Sequence, residues 1–578
     1  MYKAFLSVVL AVIVGLSSSS VLAIASQDLP VRVVVKPKLK AQSSIGSGYR
    51  TLRFSGDPEE VIKSLQETGL YSLVELDVVV SNNPPVKSQS GFKEFFFDNV
   101  PYNLISEEGF AGLTVLNDEH FAGQYSWMHY NTDFTGASRE FKSGSNILKA
   151  YSAVEPNNTV DVVVLDGGFP APGYTTDIAF AADSYDFTTL NSKRDAVYYE
   201  DDLNGCDHGY GVASILGAVA NNGVGGAGMG EFSITAGKVL SCDVGYLSDS
   251  ADALRWAAGG ETEYYAYDEA NDTWYWEVVP AREKVADVVN MSLGGESYEC
   301  PDYMQEAVDF AISQGTTVVV AAGNDNLDAS QFAPANCRGV ITVGALELGG
   351  AKADFSNFGE NVDVAALGVE VSAACAYGEG CWWSGTSFAS PLVAGQLAMI
   401  KSEVPELSPA EVEYLLKQTA NPFNMDLADN IDNSCAAGRC GAGVTDAFAF
   451  LEAAREFDAG SLFSIRHVLQ DEECPEALFL NATGQSLRLC EMYEATLGLP
   501  DDTVSHYELY RVPVSESILS TEFGELIASS NSVKLVLGDI DSSEYRYGVK
   551  ACMDDVCAAE LVELNTNSIS KPASCTGI

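Results

Sequence analysis

Six apolar runs rich in valine and alanine recur between about 117 and 455, at 160–165, 234–240, 285–291, 316–322, 340–345 and 362–367. Helix-like stretches such as 249–258 and 302–314 fall between several of them. A strand with one face in water alternates apolar with polar residues; these runs do not alternate, so both of their faces must be covered. Continuous apolar strands joined by helical crossovers build an α/β domain, a mostly parallel sheet with helices on both faces. This pattern constrains the fold more than any other feature, and it predicts where chemistry should gather: at the carboxyl ends of the strands.

At 578 residues the chain is too long for one core. Four parts are expected. Residues 1–25 carry Lys3, an apolar stretch and the small-residue step Ala23-Ile24-Ala25, which is the order of a secretory signal peptide. Residues 26–116 lack cysteine and read as a small α+β unit, with strand-like 49–54, helix-like 57–68 and an apolar stretch at 71–80. The α/β domain takes 117–456. From 460 to 570 the pattern becomes all-β: Tyr545, Tyr547, Val549 and Ala551 alternate with polar or small residues, and 507–512 and 533–537 are further strand candidates.

The formal charge is −49, with 81 acidic against 32 basic side chains. That balance argues against nucleic acid or an anionic membrane as a partner and offers many carboxylates to calcium. No apolar run is long enough for a membrane anchor. The 13 cysteines all lie at or after Cys206, several at close spacing: Cys375/Cys381, Cys435/Cys440, Cys474/Cys490 and Cys552/Cys557. In an exported chain these read as disulfides, and Cys575 as the leftover thiol. The string GVGGAG at 223–228 matches a dinucleotide fingerprint only in letters, because a helix-like stretch precedes it and a strand follows.

Three polar residues stand at element ends within this apolar framework. Asp166 closes the run DVVVLD, where a carboxylate is costly unless something hydrogen-bonds it. His208 opens the apolar stretch HGYGVASILG, whose positive end disfavours an imidazolium and keeps the ring able to accept a proton. Ser387 stands at the head of GTSFASPLVAGQLAMI (385–400), a segment apolar nearly all the way round and so expected as a buried helix. Alone, each could be a cap or a core polar group. Together they make a nucleophile, a base and an orienting carboxylate for acyl transfer.

These segments, with VVNMSLGG (288–295) and VVVAAGN (318–324), run in the order seen in subtilisin-like serine proteases, and the chain resembles that family, in particular its secreted, disulfide-containing bacterial branch. The resemblance implies a subtilisin-like fold and a secreted endopeptidase acting on proteins or peptides. Ser387 would be the nucleophile, His208 the general base and Asp166 its partner. Asn324 would donate to the oxyanion. Ser292, Leu293 and Gly294, with Ala322 and Gly323, would border the substrate by β-augmentation. It further implies no cofactor for catalysis, structural calcium with unnamed ligands, a monomer, and disulfides Cys206–Cys242 and Cys300–Cys337. Residues 26–116 would be a propeptide acting as intramolecular inhibitor, cut off within 105–120. The C-terminal part resembles a fibronectin type III module. Two departures stand out: Gly167 follows Asp166 where the family has Ser or Thr, and Tyr210, Gly211 and Ser214 depart from H-G-T-H-V-A-G. An inactive binding protein of this shape, or a secreted esterase with the same triad, shares the same residues.

Overall fold

A computed structural model describes residues 31–37, 49–54, 57–82, 118, 124, 145–170, 177–188, 206–268, 273–376, 380–423, 435 and 439–457, together with strand segments between 463 and 564. The signal segment, Cys474, Cys490, Cys575 and, apart from Asp118, the cleavage window lie outside the described residues.

The N-terminal unit is a three-stranded antiparallel sheet of β1 (Val31–Pro37), β2 (Arg50–Phe54) and β3 (Tyr71–Leu76), in the order β2-β1-β3. Helix α1 (Pro58–Glu67) starts at Asp57, whose carboxylate accepts from the Glu59 and Glu60 N–H groups. The apolar stretch expected at 71–80 is broken. Asp77 is buried at the break, and β4 (Val79–Ser81) leaves this sheet to pair elsewhere.

The large domain is the parallel sheet that the apolar runs predict. Its elements, in chain order, are β5 (Asp161–Asp166), β6 (Tyr185–Asp186), α2 (His208–Gly217), β7 (Ser233–Lys238), β8 (Leu240–Ser241), β9 (Val244–Tyr246), α3 (Leu247–Ala257), β10 (Val288–Met291), α4 (Asp302–Ser313), β11 (Thr317–Ala321), β12 (Ile341–Leu346), β13 (Val364–Leu367) and α5 (Thr386–Glu403). Seven strands form one sheet, β13-β12-β11-β10-β5-β7-β6, and every pairing in it is parallel. Both faces are covered. On β5, Val162 and Val164 join the core shared with α2 and α5, while Val163 and Leu165 join the core shared with α3 and α4. Each fully buried Val or Leu contributes about 1.5–3 kcal/mol relative to exposure, which locks the register.

Helix α5 is buried from Thr386 through Ser402, as its all-round apolar sequence requires. Pro391 lacks the N–H that would bond the Ser387 carbonyl one turn earlier, and Ser292 Oγ donates to that carbonyl instead at 2.8 Å. Beyond the helix Ala447–Glu456, three antiparallel sheets follow among the described residues: one of Phe463–His467, Met492–Leu497 and Lys534–Gly538, a two-stranded one of Leu478–Leu480 and Ser486–Arg488, and one built on the pairing of His506–Pro513 with Glu525–Ser530 and Tyr545–Met553. Among the described residues no helix is long and apolar enough to cross a membrane.

Candidate active site

Asp166, His208 and Ser387 come from three elements whose ends meet. Asp166 ends β5, which lies inside the sheet between β10 and β7, and is fully buried. Helix α2 is docked against the loop that follows: the Gly209 N–H donates to the Gly167 carbonyl at 2.8 Å and the Tyr210 N–H to the Gly168 carbonyl at 3.2 Å. Two first-turn amides that would otherwise lack partners are thereby satisfied. This docking puts His208 Nδ1 at 2.9 Å from both carboxylate oxygens of Asp166. The Gly167 N–H donates to Asp166 Oδ1 at 2.7 Å, so the carboxylate is supported from the backbone as well. With Nδ1 bound to Asp166, the other ring nitrogen is left for proton transfer, and His208 Nε2 has no hydrogen-bond partner among the described residues.

Ser387 is the second residue of α5 and is 2 % exposed. Its hydroxyl donates to the Ser292 carbonyl at 3.3 Å and makes no hydrogen bond to His208 Nε2. Apo sites commonly show such slack and tighten with substrate. The helix start is held from the other side. Ser292 Oγ donates to the Ser387 carbonyl at 2.8 Å, lies 3.0 Å from Ser390 Oγ and accepts from Asn290 Nδ2 at 2.9 Å. The Ser292 side chain therefore clamps the nucleophile's helix.

Asn324 follows β11. Its Oδ1 accepts from the Thr386 N–H at 2.8 Å and from Thr386 Oγ1 at 2.9 Å. Those two donors fix the amide orientation, leaving Nδ2 as the group that can donate outward. Gly323 has φ +103°, and its N–H is taken by Thr386 Oγ1. The Ala322 N–H is taken by the Val343 carbonyl, so Ala322 and Gly323 can act as a wall but not as pairing edges. Leu293 is buried.

Gly294 behaves differently. Its N–H donates to the Ser81 carbonyl at 3.1 Å and its carbonyl accepts from the Ser81 N–H at 3.0 Å. On the other side of the same segment, Val79, Val80 and Ser81 pair antiparallel with Tyr246, Gly245 and Val244. Strand β4, an extension of the N-terminal unit, thus lies between β9 and Gly294, leading towards the Ser292 carbonyl and Ser387.

Packing around the site accounts for the glycines at 167 and 211 among the departures noted in the sequence. A Cβ at Gly167 would overlap the Cys242 carbonyl and come within 2.8 Å of the Leu240 carbonyl, so no side chain fits there. Cys242 is held there by the Cys206–Cys242 disulfide. At Gly211 a Cβ would meet Phe388 and Trp383, each at 3.3 Å. Those two rings stack on one another at 4.8 Å and present edges to the His208 ring at 5.4 and 6.3 Å. Large aromatics thus fill the space where a second histidine is usual. Disulfides Cys300–Cys337, Cys375–Cys381 and Cys435–Cys440 are also formed.

One residue at the groove escaped the sequence reading. Asp243, partly buried next to Cys242, is contacted by Asn82. Burial pushes its carboxyl up, helped by Asp166 and Asp207 and opposed by the Asn82 amide and by His208. A lone acid in a turn gives no sequence signal; only the strand lying over it does.

A central parallel sheet carrying an aspartate at a strand end and a histidine and serine at two helix starts defines a subtilisin-like fold. The profile of the subtilase family, Peptidase_S8, matches residues 120–443, more than half of the chain, and the chain belongs to that family. It is 42 % identical over 257 residues to an extracellular protease of Xanthomonas campestris pv. campestris, covering 43 % of this chain and 40 % of that protein. It is 34 % identical over 258 residues to an extracellular basic protease of Dichelobacter nodosus, covering 43 % of this chain and 39 % of the relative. A thermophilic serine proteinase of Bacillus sp. strain AK1 is 30 % identical over 63 % of this chain and 80 % of its own length. The chain therefore spans about two fifths of the length of the first two relatives.

Proposed function

We propose that the protein is a secreted serine endopeptidase that hydrolyses proteins or peptides through an acyl-enzyme on Ser387. The observation that carries this reading is β4. An extended segment is held by its backbone between β9 and Gly294, two residues along the chain from the Ser292 carbonyl that meets the Ser387 hydroxyl, and that is how a peptide substrate would be gripped. An esterase has no use for two strand edges, and a binding protein has no use for a buried imidazole with a free Nε2.

In the proposed chemistry His208 Nε2 takes the Ser387 hydroxyl proton as Oγ attacks the substrate carbonyl. Asp166 holds the Nδ1–H tautomer and stabilises the imidazolium. The oxyanion receives the Ser387 N–H and Asn324 Nδ2. His208 then gives its proton to the leaving amine, the C–N bond breaks, and water repeats the cycle on the acyl-enzyme.

Residues 26–116 act as an inhibitory propeptide in this reading. Support comes from the occupied groove and from the sequence beyond it: Asn83-Pro84-Pro85 places a tertiary amide within two residues of the end of the paired segment. Such a bond lacks the N–H and the freedom of a normal substrate, so a cut at 105–120 releases the unit without cleaving the segment that blocks the site. The C-terminal sheets are read as a fibronectin type III-like module.

We assign calcium to one place among the described residues. The loop 220–227 wraps Asp177, which accepts from Asn222 Nδ2 and the Gly226 N–H, and Gln124, which exchanges hydrogen bonds with Ala227. A Cβ at Gly225 would overlap Asp177 Oδ2 and one at Gly226 the Gln124 amide nitrogen, so the loop is built to close on these two side chains. The Asp177 carboxylate and the Gln124 amide oxygen would hold a hard cation there, joined by the Asn222 amide oxygen once that amide turns over from its present Nδ2 contact with Asp177.

The test is Ser387→Ala followed by protein mass. Loss of proteolysis together with accumulation of the uncut precursor is expected. Normal maturation of that variant would refute self-processing, and absence of fluorophosphonate labelling of the wild-type protein would refute the enzyme.

A further inference from the structure

Asn82 follows β4 and reaches a group that the mechanism above does not use. Its backbone N–H donates to the Asp243 carbonyl at 3.2 Å and its Nδ2 donates to Asp243 Oδ1 at 3.3 Å. Only half of the amide is satisfied. Asn82 is 1 % exposed, and its Oδ1 has no hydrogen-bond partner among the described residues. A buried acceptor without a donor is unfavourable. The place offers a carboxylate to a donor and nothing to an acceptor.

Its charge points the same way. Asp243 is partly buried near Asp166 and Asp207, with His208 as the opposing group. A donor-only cationic side chain would satisfy Asp243, bring no orphan acceptor and relieve the repulsion among the three carboxylates.

The position has a defined meaning for a substrate. Ser81 stands opposite Gly294 in antiparallel register, so a substrate continuing that register would bring the residue after the one at the Asn82 position opposite Ser292, whose carbonyl meets the Ser387 hydroxyl. Asn82 therefore stands in for the substrate residue just before the one whose carbonyl is attacked.

We propose that Asp243 is a specificity-determining residue that selects lysine or arginine at the substrate position held here by Asn82. This rests on the endopeptidase reading and adds a substrate class to it: proteins and peptides with a basic residue one place before the residue at the cut. The inhibitory strand uses asparagine there, a weaker donor than a cation. A basic substrate is accordingly favoured over the strand at this contact.

The test uses the mature enzyme and peptides identical except at that position, carrying Arg, Lys, Asn, Leu or Glu. The kcat/KM for Arg and Lys should exceed that for Leu by about ten-fold, the effect of one partly exposed charge-assisted hydrogen bond. Glu should be the poorest. Asp243→Asn should collapse the Arg-to-Leu ratio towards one, and Asp243→Lys should turn the preference towards Glu. Fluorophosphonate labelling of both variants establishes that their sites are built. Acidification should also lower the Arg-to-Leu ratio, because a protonated Asp243 loses the charge that selects. If all peptides are cleaved and the ratio is the same with and without Asp243, the inference falls and the protease stands. If the wild-type cleaves none of them and is not labelled, the protease reading itself falls.

Discussion

Arg32 is the strongest tie between the N-terminal unit and the catalytic domain, and its removal is a quantitative test of how the groove is blocked. The guanidinium is 2 % exposed. It forks onto Asp249 at 2.8 and 2.9 Å, donates to Ser248 Oγ at 2.7 Å and pairs through Nε with Asp77 at 3.0 Å. Its face lies 3.9 Å above the Tyr246 ring, on β9 itself. Burial works against charge on Arg32, but Asp249 and Asp77 outweigh it and hold the guanidinium firmly protonated. At Asp77 burial wins and the carboxyl is raised, because the single cation gives its fork to Asp249. Arg32→Met leaves two buried carboxylates without a cation. Removing one partner of a buried pair costs about 3–5 kcal/mol, and protonation of Asp77 limits the loss to about 3 kcal/mol, a factor of roughly one hundred. In a Ser387→Ala background, which prevents cutting, hydrogen exchange reads this directly. The amides joining Ser81 to Gly294 should exchange about one hundred-fold faster, while those of β10 and β11 should not change. Unaltered protection of the Ser81–Gly294 pair would refute the claim that Arg32 holds β4 in the groove.

Three further outcomes are expected. Burial, with Asp302 and Glu299 nearby, raises the Glu75 carboxyl from 4.5 to about 7. The attached unit thus prefers protonated Glu75, so its hold is full below pH 4.5 and lost as pH rises through 7. Discounted for the half-exposed setting, the effect is about 1 kcal/mol; dissociation of the Ser387→Ala precursor in urea at pH 5 and 8 should show it, and Glu75→Gln should abolish it. Gly167→Ser, which restores the residue usual in the family, should lower the melting temperature and the activity, since its Cβ overlaps the Cys242 carbonyl; a cost of about 2 kcal/mol or more is expected from such overpacking, and an unchanged melting curve would contradict it. EDTA should lower the inactivation temperature of the wild-type enzyme, and Asp177→Asn should remove that sensitivity; equal sensitivity in the two proteins would place any calcium elsewhere.

Much of the architecture is legible in the sequence because burial on both faces of a strand leaves an unbroken apolar run. Val288–Met291 and Thr317–Ala321 fall within the runs read at 285–291 and 316–322. Asp166, His208 and Ser387 are legible for a related reason: polar residues at the ends of apolar elements stand out against them. The stretch at 71–80 misleads because seven of its ten residues are apolar, while its geometry is decided by Asp77, which is kept buried by Arg32, Ser248 and Tyr303 from distant parts of the chain. Nothing local to the stretch records those partners. The role of the Ser292 side chain is hidden for the same reason, since Ser390 and the Ser387 carbonyl reach it across almost one hundred residues.

The departures from the family pattern show how compensation hides from a motif. Read as motif positions, Gly167 and Gly211 are losses: a hydroxyl gone beside the carboxylate and an imidazole gone beside the base. Read as volumes, each is the small half of a pair whose large half lies elsewhere. Gly167 makes room for the backbone at Cys242 that the disulfide to Cys206 draws in, and Gly211 makes room for Trp383 and Phe388. Both exchanges keep His208 packed and its Nδ1 on Asp166. The same inward course of the 242 backbone carries Asp243 to the edge of the groove, where it meets Asn82. The substitution that looks like decay beside the catalytic aspartate is thereby joined, through one disulfide, to the carboxylate that reads the substrate.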